Sequence, residues 1–128
     1  MKLSGKELKT LFNAIGDEKT LGALLLTFYQ RMSEDLLIGY FFDGKNLPHI
    51  AEQQKNFLLK AWGIKPSYSG KSPAQAHRDL PEILAGHFDR RIVILKEVLE
   101  SAGFSSQVVK TWTDFEKSFR KQIVKGTK

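Results

Sequence analysis

Four side chains within the first 77 residues of the chain have the chemistry of a binding pocket: Tyr29, Phe42, Gln54 and His77. The tyrosine hydroxyl and the glutamine amide can donate hydrogen bonds, and the phenylalanine presents a flat apolar ring. A neutral imidazole is a common axial ligand of iron. In this order the four residues are the parts of a small haem pocket: two donors for a bound ligand, a ring against the porphyrin and a ligand for the iron.

His77 follows a loop and a very short helix that is predicted to begin at Pro73. A lone histidine is usually a surface residue or a hydrogen-bonded core residue, but a short, weakly held helix can bring a ligand into place. One ring nitrogen would bind the iron while the other donates to a carbonyl or to water. His49 and His87 are competing candidates, since His49 lies one position from an apolar helix face and His87 precedes a phenylalanine.

Gln54 lies between Ile50 and Phe57 on an otherwise apolar helix face, and Tyr29 lies on the apolar face of another helix. A buried amide without hydrogen-bond partners costs roughly 1–3 kcal/mol, so Gln54 needs a partner if it is buried. A tyrosine in such a position is commonly a core residue, but a ligand between the two helices would use both donors. Gln53 lies about 100° around the same helix and is expected at the pocket rim.

Composition narrows the classes of function. A length of 128 residues with 41% hydrophobic residues predicts one domain over residues 1–128. The absence of cysteine excludes disulfides, thiolate metal sites and iron–sulfur clusters, and it fits a cytoplasmic protein. The net charge is +6, and the basic residues are scattered along the chain. The sequence has no nucleic-acid-binding motif and no phosphate-binding loop, so no nucleic-acid partner is expected. We also expect no signal peptide and no membrane span.

Apolar residues recur at helical spacing, and strand-like alternation is almost absent, so the fold class is all-α. The elements that must position the pocket residues are predicted as helices over residues 4–14, 18–33, 46–62, 80–101 and 105–124, with a turn of helix over 36–42 and the short helix before His77.

In the order and spacing of its motifs the chain resembles the truncated haemoglobins, which are small globins built as a 2-on-2 helical sandwich. The resemblance covers about residues 8 to 110, and its Tyr29–Gln54 pair with an apolar Ile50 is most similar to group I. The motifs that carry it are Phe28-Tyr29-x-Arg31, Asp35 through Phe41-Phe42, Gln54-x-x-Phe57, Tyr68-Ser69-Gly70, Ala76-His77 and His87-Phe88.

The resemblance implies haem b (iron protoporphyrin IX) as cofactor, with His77 as the proximal iron ligand. It implies Tyr29 and Gln54 as the distal hydrogen-bonding pair and dioxygen, nitric oxide or carbon monoxide as ligands. The remaining implied positions are Ile50 nearest the ligand, Phe42 on the porphyrin, Phe57 and Leu58 along the cavity, Tyr68 at the haem edge, and Lys45, His49 and Lys71 at the propionates.

Arg91 departs from the pattern, because it falls where relatives usually carry an apolar or aromatic residue near the haem. A buried, unpaired arginine would be costly. We therefore expect Arg91 to point away from the pocket or to reach a propionate.

The function implied is reversible binding of dioxygen, together with oxidation of nitric oxide to nitrate if a reductase supplies electrons. Two alternatives stay open from the sequence. One is a haem-based sensor or weak peroxidase of the same fold, and the other is a cofactor-free helical module whose basic surface binds acidic partners.

Overall fold

Helices make up the regular structure of the residues that the computed structural model describes, which are 3–68, 70 and 82–124. No strand occurs in these ranges, as expected for an all-α protein. The short helix predicted before His77 lies outside the described residues. The elements are α1 (Gly5–Ile15), α2 (Glu18–Ser33), a 3₁₀ helix (Gly39–Phe42), α3 (Leu47–Ala61), α4 (Ala85–Ser101), α5 (Ser106–Lys117) and α6 (Arg120–Ile123).

Four helices begin at a side chain that accepts a hydrogen bond from a backbone N–H of the first turn. The capping residues of α1, α2, α3 and α5 are Ser4, Asp17, Asn46 and Ser105, with distances from 2.8 to 3.2 Å. Each such cap contributes about 1 kcal/mol to helix stability. The predicted starts of these four helices are confirmed, because a cap is a local signal that sequence displays directly.

Two helix pairs form the sandwich, with α2 packed along α3 and α4 packed along α5. Helix α2 also contacts α4, and α1 packs on α5. The core between them includes Phe28 and the tryptophans Trp62 and Trp112, each at most 1% exposed. The two indole rings meet edge to face with 5.3 Å between their centroids.

The long helix α4 begins at Ala85, later than the predicted start at Leu80-Pro81. Residues 82–84 are not helical. The first turn is capped from inside the helix, because Nδ1 of His87 accepts a hydrogen bond from the backbone N–H of Leu84. The helix start was predicted at Leu80-Pro81 because proline is common in the first turn of a helix. The cap by His87 was not predicted.

The C-terminal helix predicted over residues 105–124 is broken into α5 and α6 by a turn at Ser118 and Phe119. The hydroxyl of Ser118 donates to the carbonyl of Phe115. A serine hydroxyl competes in this way for backbone acceptors at the end of a helix. The break turns α6 toward the end of the cavity described below, where Ile123 and Phe119 both lie.

Within the described ranges, no helix is both long enough and apolar enough to cross a membrane. The assignment of residues 1–128 to a single domain stays a prediction.

Candidate functional site

A cavity of about 630 Å³ opens between α2, the 3₁₀ helix, α3, α4 and the two C-terminal helices. Its volume lies within the roughly 300–1,000 Å³ that is usual for small-molecule pockets. Nine residues predicted for the pocket line it, namely Tyr29, Phe42, Lys45, His49, Ile50, Gln53, Gln54, Phe57 and Tyr68.

Tyr29 enters the cavity from α2 and is 6% exposed. Its ring lies 5.5 Å from that of Phe28 and 5.8 Å from that of Phe42, in the second case edge to face. Burial raises the pKa of Tyr29 above its ordinary value, although the charge of Arg91 acts in the opposite direction. The hydroxyl therefore keeps its proton at neutral pH and is available as a hydrogen-bond donor.

Gln54 enters the cavity from α3, and Ile50 lies one turn before it on the same helix. Both side chains are partly buried. Since α3 packs directly along α2, the amide of Gln54 and the hydroxyl of Tyr29 border one space from two neighbouring helices. The side chain of Ile50, which lines the cavity beside them, is apolar and offers no hydrogen-bonding group.

Aromatic rings form another wall of the cavity. The ring of Phe57 lies 5.5 Å from that of Tyr68 and 5.6 Å from that of Phe119, and both contacts are edge to face. Gly70 approaches this wall so closely that a Cβ would overlap the Tyr68 hydroxyl and lie 2.7 Å from Oε1 of Gln53. Only glycine fits there while Tyr68 and Gln53 keep their positions.

The rim is basic, with Lys45 and His49 both exposed beside the opening. Lys71, the third residue expected at the rim, lies outside the described residues. Leu58 was expected along the cavity, but it is fully buried in the core and is not among the described residues that line the space.

The sequence model of the bacterial-like globin family matches residues 10–125 of the chain. The chain belongs to this family. A group 1 truncated haemoglobin from Tetrahymena thermophila is 31% identical over 100 residues, which cover 78% of this chain and 82% of that protein. Group 1 relatives in Tetrahymena pyriformis and Synechocystis are 28% and 27% identical. Together these matches identify a group I truncated globin.

Solved structures agree with this assignment. The truncated haemoglobin of Tetrahymena pyriformis in its Fe(III) form has a TM-score of 0.80 at 25% identity, covering 89% of this chain and 97% of that one. The 2/2 haemoglobin of Synechococcus sp. PCC 7002, solved in the cyanomet state with covalently attached haem, has a TM-score of 0.79 at 20% identity and covers the same shares. The 2-on-2 sandwich predicted from the sequence is thereby confirmed.

The cavity of this globin fits a haem. Its walls include flat apolar rings, Tyr29 and Gln54 supply donors inside, and Lys45 and His49 supply polar groups at the opening. A porphyrin needs this division between an apolar interior and a polar edge that meets its two propionates. Because His77 lies outside the described residues, the fit concerns the pocket walls and not the axial ligand.

His87 lines the cavity, and its ring stands edge to face with Phe41 at 5.2 Å. Its Nδ1 accepts the hydrogen bond from Leu84 at 3.0 Å, so the neutral ring carries its proton on Nε2. Neither nitrogen then has a free lone pair for a metal. In this arrangement His87 is a helix-capping residue, and His77 stays the predicted iron ligand of the globin.

Arg91 does not point away from the pocket, contrary to one of the two expectations from sequence. Its guanidinium lines the cavity and pairs with Glu116 of α5, with 3.5 Å between Nη2 and Oε1. The pairing was missed because the two residues are far apart in the chain. One signal was available, since Glu116 lies four residues after Trp112 and three before Phe119 on the inward face of its helix.

Proposed function

We propose that this truncated globin binds haem b in the cavity and reversibly holds dioxygen or another diatomic gas beside Tyr29 and Gln54. The observation that carries the proposal is the meeting of these two donors, from α2 and α3, in one cavity with aromatic walls. The Tetrahymena and cyanobacterial relatives are haemoglobins, which supports the same function here. Haem supplies a ferrous iron that takes up diatomic ligands.

The protein contributes orientation, hydrogen bonding and exclusion of water. Tyr29 keeps its proton because burial raises its pKa, so it donates rather than accepts toward a ligand. Gln54 donates through its amide, and Ile50 and Phe57 keep the surrounding space apolar. A partly negative ligand gains most from donors placed in such a water-poor site.

His77 is proposed as the axial ligand of the iron, on the strength of its sequence position. The two other histidines of the chain are less suitable. Nδ1 of His87 is occupied by the α4 cap, and His49 is exposed at the rim. Lys45, His49 and Lys71 are proposed to meet the propionates.

Oxidation of nitric oxide to nitrate is proposed as a use of the bound dioxygen. The reaction consumes one nitric oxide, one dioxygen and one electron for each nitrate, so it requires an external reductase. A cytoplasmic location is part of the same proposal, since a cellular reductant must reach the iron.

Titration of the apoprotein with haem tests the cofactor. We expect saturation at one haem per chain, with an intense Soret band that shifts when carbon monoxide is added to the ferrous form. His77→Gly should weaken this band, and added imidazole should restore it by occupying the vacated space. His49→Ala is the comparison variant: it removes a proposed propionate contact and not the proposed iron ligand, so it should lower haem affinity only modestly and leave the carbon monoxide shift in place.

Two results would contradict the proposal. Absence of saturable haem uptake by the folded protein would remove the haem function and favour the helical interaction module. An unchanged Soret band and carbon monoxide shift in His77→Gly would retain haem but assign the iron to another ligand.

A further inference from the structure

Arg91 is a buried cation in the wall of the cavity, and the roles proposed for Tyr29, Gln54 and His77 do not use it. Its side chain is 17% exposed and lines the same space as Tyr29. An apolar residue would fill this position at lower cost, because a buried charge needs partners that compensate for its lost hydration. The contacts of the guanidinium therefore indicate what the arginine does.

The guanidinium lies against the part of α2 that carries Tyr29. Its Cζ atom is 4.8 Å from the ring centroid of Phe28 and 5.7 Å from that of Tyr29. Its Nη1 atom is 3.7 Å from Sδ of Met32, about one turn after Phe28 on the same helix. These three contacts hold a cation beside the tyrosine ring.

Glu116 approaches the same guanidinium from α5. Its Oε1 atom is 3.5 Å from Nη2 of Arg91, which is longer than the roughly 2.7–2.9 Å of a good charge-assisted hydrogen bond. Oε1 is buried and has no hydrogen-bond partner among the described residues. The carboxylate thus attracts the cation without binding it closely. Since a guanidinium carries five N–H donors, Arg91 keeps donors for another acceptor.

The hydroxyl oxygen of Tyr29 is such an acceptor. Burial raises the pKa of Tyr29, whereas the charge of Arg91 and a hydrogen bond between the two side chains act in the opposite direction. Burial also opposes the charge of Arg91, but Tyr29 and Glu116 together raise the pKa of the guanidinium above its ordinary value. Arg91 therefore stays protonated and acts only as a donor.

A hydrogen bond to its oxygen changes what a tyrosine can donate. A phenol has one O–H proton, and its oxygen can accept hydrogen bonds at the same time. When a guanidinium donates to the oxygen, the O–H proton must point elsewhere. A hydroxyl that accepts one hydrogen bond also becomes a stronger donor in the next, because linked hydrogen bonds polarise each other.

We propose that Arg91 is a positioning residue for Tyr29: its guanidinium donates to the hydroxyl oxygen, so the tyrosine proton points into the cavity and is donated more strongly to a bound ligand. Glu116 is the counter-charge that keeps the guanidinium in the cavity wall. The inference rests on the proposed function, because it concerns the hydrogen bond that Tyr29 makes to the ligand of the haem. Arg91 acts through Tyr29 and does not itself contact the ligand.

A double-mutant cycle on the rate of dioxygen dissociation from the ferrous holoprotein tests the proposal. Arg91→Met removes the charge and keeps most of the volume, and it should speed dissociation roughly threefold to tenfold, the range of one hydrogen bond. In a Tyr29→Phe background the same substitution should change the rate by less than about twofold, because the group through which Arg91 acts is gone. Arg90→Met is the matched control, since Arg90 does not line the cavity, and it should leave both rates unchanged.

A spectroscopic readout separates positioning from a purely structural role. The carbon monoxide form of the ferrous holoprotein is diamagnetic, so tyrosine labelled with carbon-13 at Cζ can report the hydrogen bonding of the three tyrosines of the chain by nuclear magnetic resonance. The signal that disappears in Tyr29→Phe belongs to Tyr29. This signal should shift in Arg91→Met, while the other two stay in place.

The double variant Arg91→Met with Glu116→Leu serves if Arg91→Met fails to fold, as judged by circular dichroism. It removes both buried charges and should show the same faster dissociation and the same shift of the Tyr29 signal.

Equal dissociation rates in wild type and Arg91→Met, or an equal acceleration by Arg91→Met in both backgrounds, would overturn the positioning role and leave haem binding standing. An unshifted Tyr29 signal in Arg91→Met would do the same. Failure of the wild type to take up haem or to bind dioxygen would instead overturn the proposed function.

Discussion

Arg90 and Arg91 are adjacent in α4, yet they lie in opposite environments. Arg90 is 39% exposed and holds Oδ1 of Asp35 through Nε and Nη2 at 2.9 and 2.8 Å. Arg91 is largely buried and meets Glu116 at 3.5 Å. The ion pair with the shorter contact, Arg90–Asp35, thus lies nearer the surface. The buried pair, Arg91–Glu116, for which removing the charges from water costs more free energy, has the longer contact. The outer pair, Arg90–Asp35, therefore has the geometry of a stabilising ion pair, whereas the inner pair, Arg91–Glu116, does not.

In the outer pair, both carboxylate oxygens of Asp35 accept hydrogen bonds. Oδ2 of Asp35 accepts from the backbone N–H groups of Leu37 and Ile38, while Oδ1 accepts from Arg90. Asp35 therefore links α4, through Arg90, to the segment that follows α2, through Leu37 and Ile38. The hydrogen bond from Arg90 is the main reason that the pKa of Asp35 lies below its ordinary value.

The largest effect is expected when one charge of the inner pair is removed. Arg91→Met leaves Glu116 buried without a counter-charge and should lower the free energy of unfolding by about 3–5 kcal/mol. The double variant Arg91→Met with Glu116→Leu should recover the wild-type value or exceed it, since an apolar pair replaces a costly ionic one. Urea unfolding of the apoproteins measures both. A double variant as unstable as the single one would show that the inner pair contributes to stability as the outer pair does.

A smaller loss is expected at the outer pair. Asp35→Ala removes a partly exposed ion pair and two backbone caps and should lower the free energy of unfolding by about 2 kcal/mol at neutral pH. Since the native pKa of Asp35 is depressed, its contribution is present above its ordinary pKa of about 3.9 and is lost as the pH falls through the native value. The gap between wild type and variant should therefore close in acid.

Glu34→Ala is the control for the outer pair, because Glu34 is the exposed neighbour of Asp35. It should change stability by only a few tenths of a kcal/mol. A gap between wild type and Asp35→Ala that persists unchanged at pH 2 would remove the carboxylate from the explanation.

The smallest effect concerns the helix that carries both arginines. His87→Ala removes the acceptor for the Leu84 N–H and should cost about 1 kcal/mol, while His87→Asn should recover part of it through its carboxamide oxygen. The Soret band should survive in both variants. Loss of the haem spectrum in His87→Asn, with His77 unchanged, would mean that His87 has a role at the iron.

The parts of the molecule that sequence predicts are those with local causes. Ser4, Asp17 and Asn46 cap the helices that they precede, and the apolar period places Tyr29 and Gln54 on inward faces. Polar groups on such faces are unusual enough to predict a pocket, and in the structure both side chains line one cavity.

The missed parts depend on residues that are distant in the chain or on competition between signals. Nothing near Arg91 in the sequence identifies Glu116 as its partner, because the pair forms only when α4 packs on α5. Helix α4 was predicted to begin at Leu80-Pro81, but it begins at Ala85, where His87 caps its first turn. A single helix was predicted through Ile123 from the apolar period, but the hydroxyl of Ser118 donates to the Phe115 carbonyl where α5 ends. In each case tertiary packing or side-chain chemistry decided between two locally reasonable outcomes.

The edge-to-face packing of Trp62 and Trp112 gives the protein an internal optical probe. They are its only tryptophans, both are almost fully buried, and Phe115 connects Trp62 to the ring of Phe119 on the cavity wall. Their fluorescence therefore reports on the core and not on the solvent-facing surface. A strongly absorbing group in the cavity would quench that emission by energy transfer, so its uptake and loss can be followed in real time without an attached label.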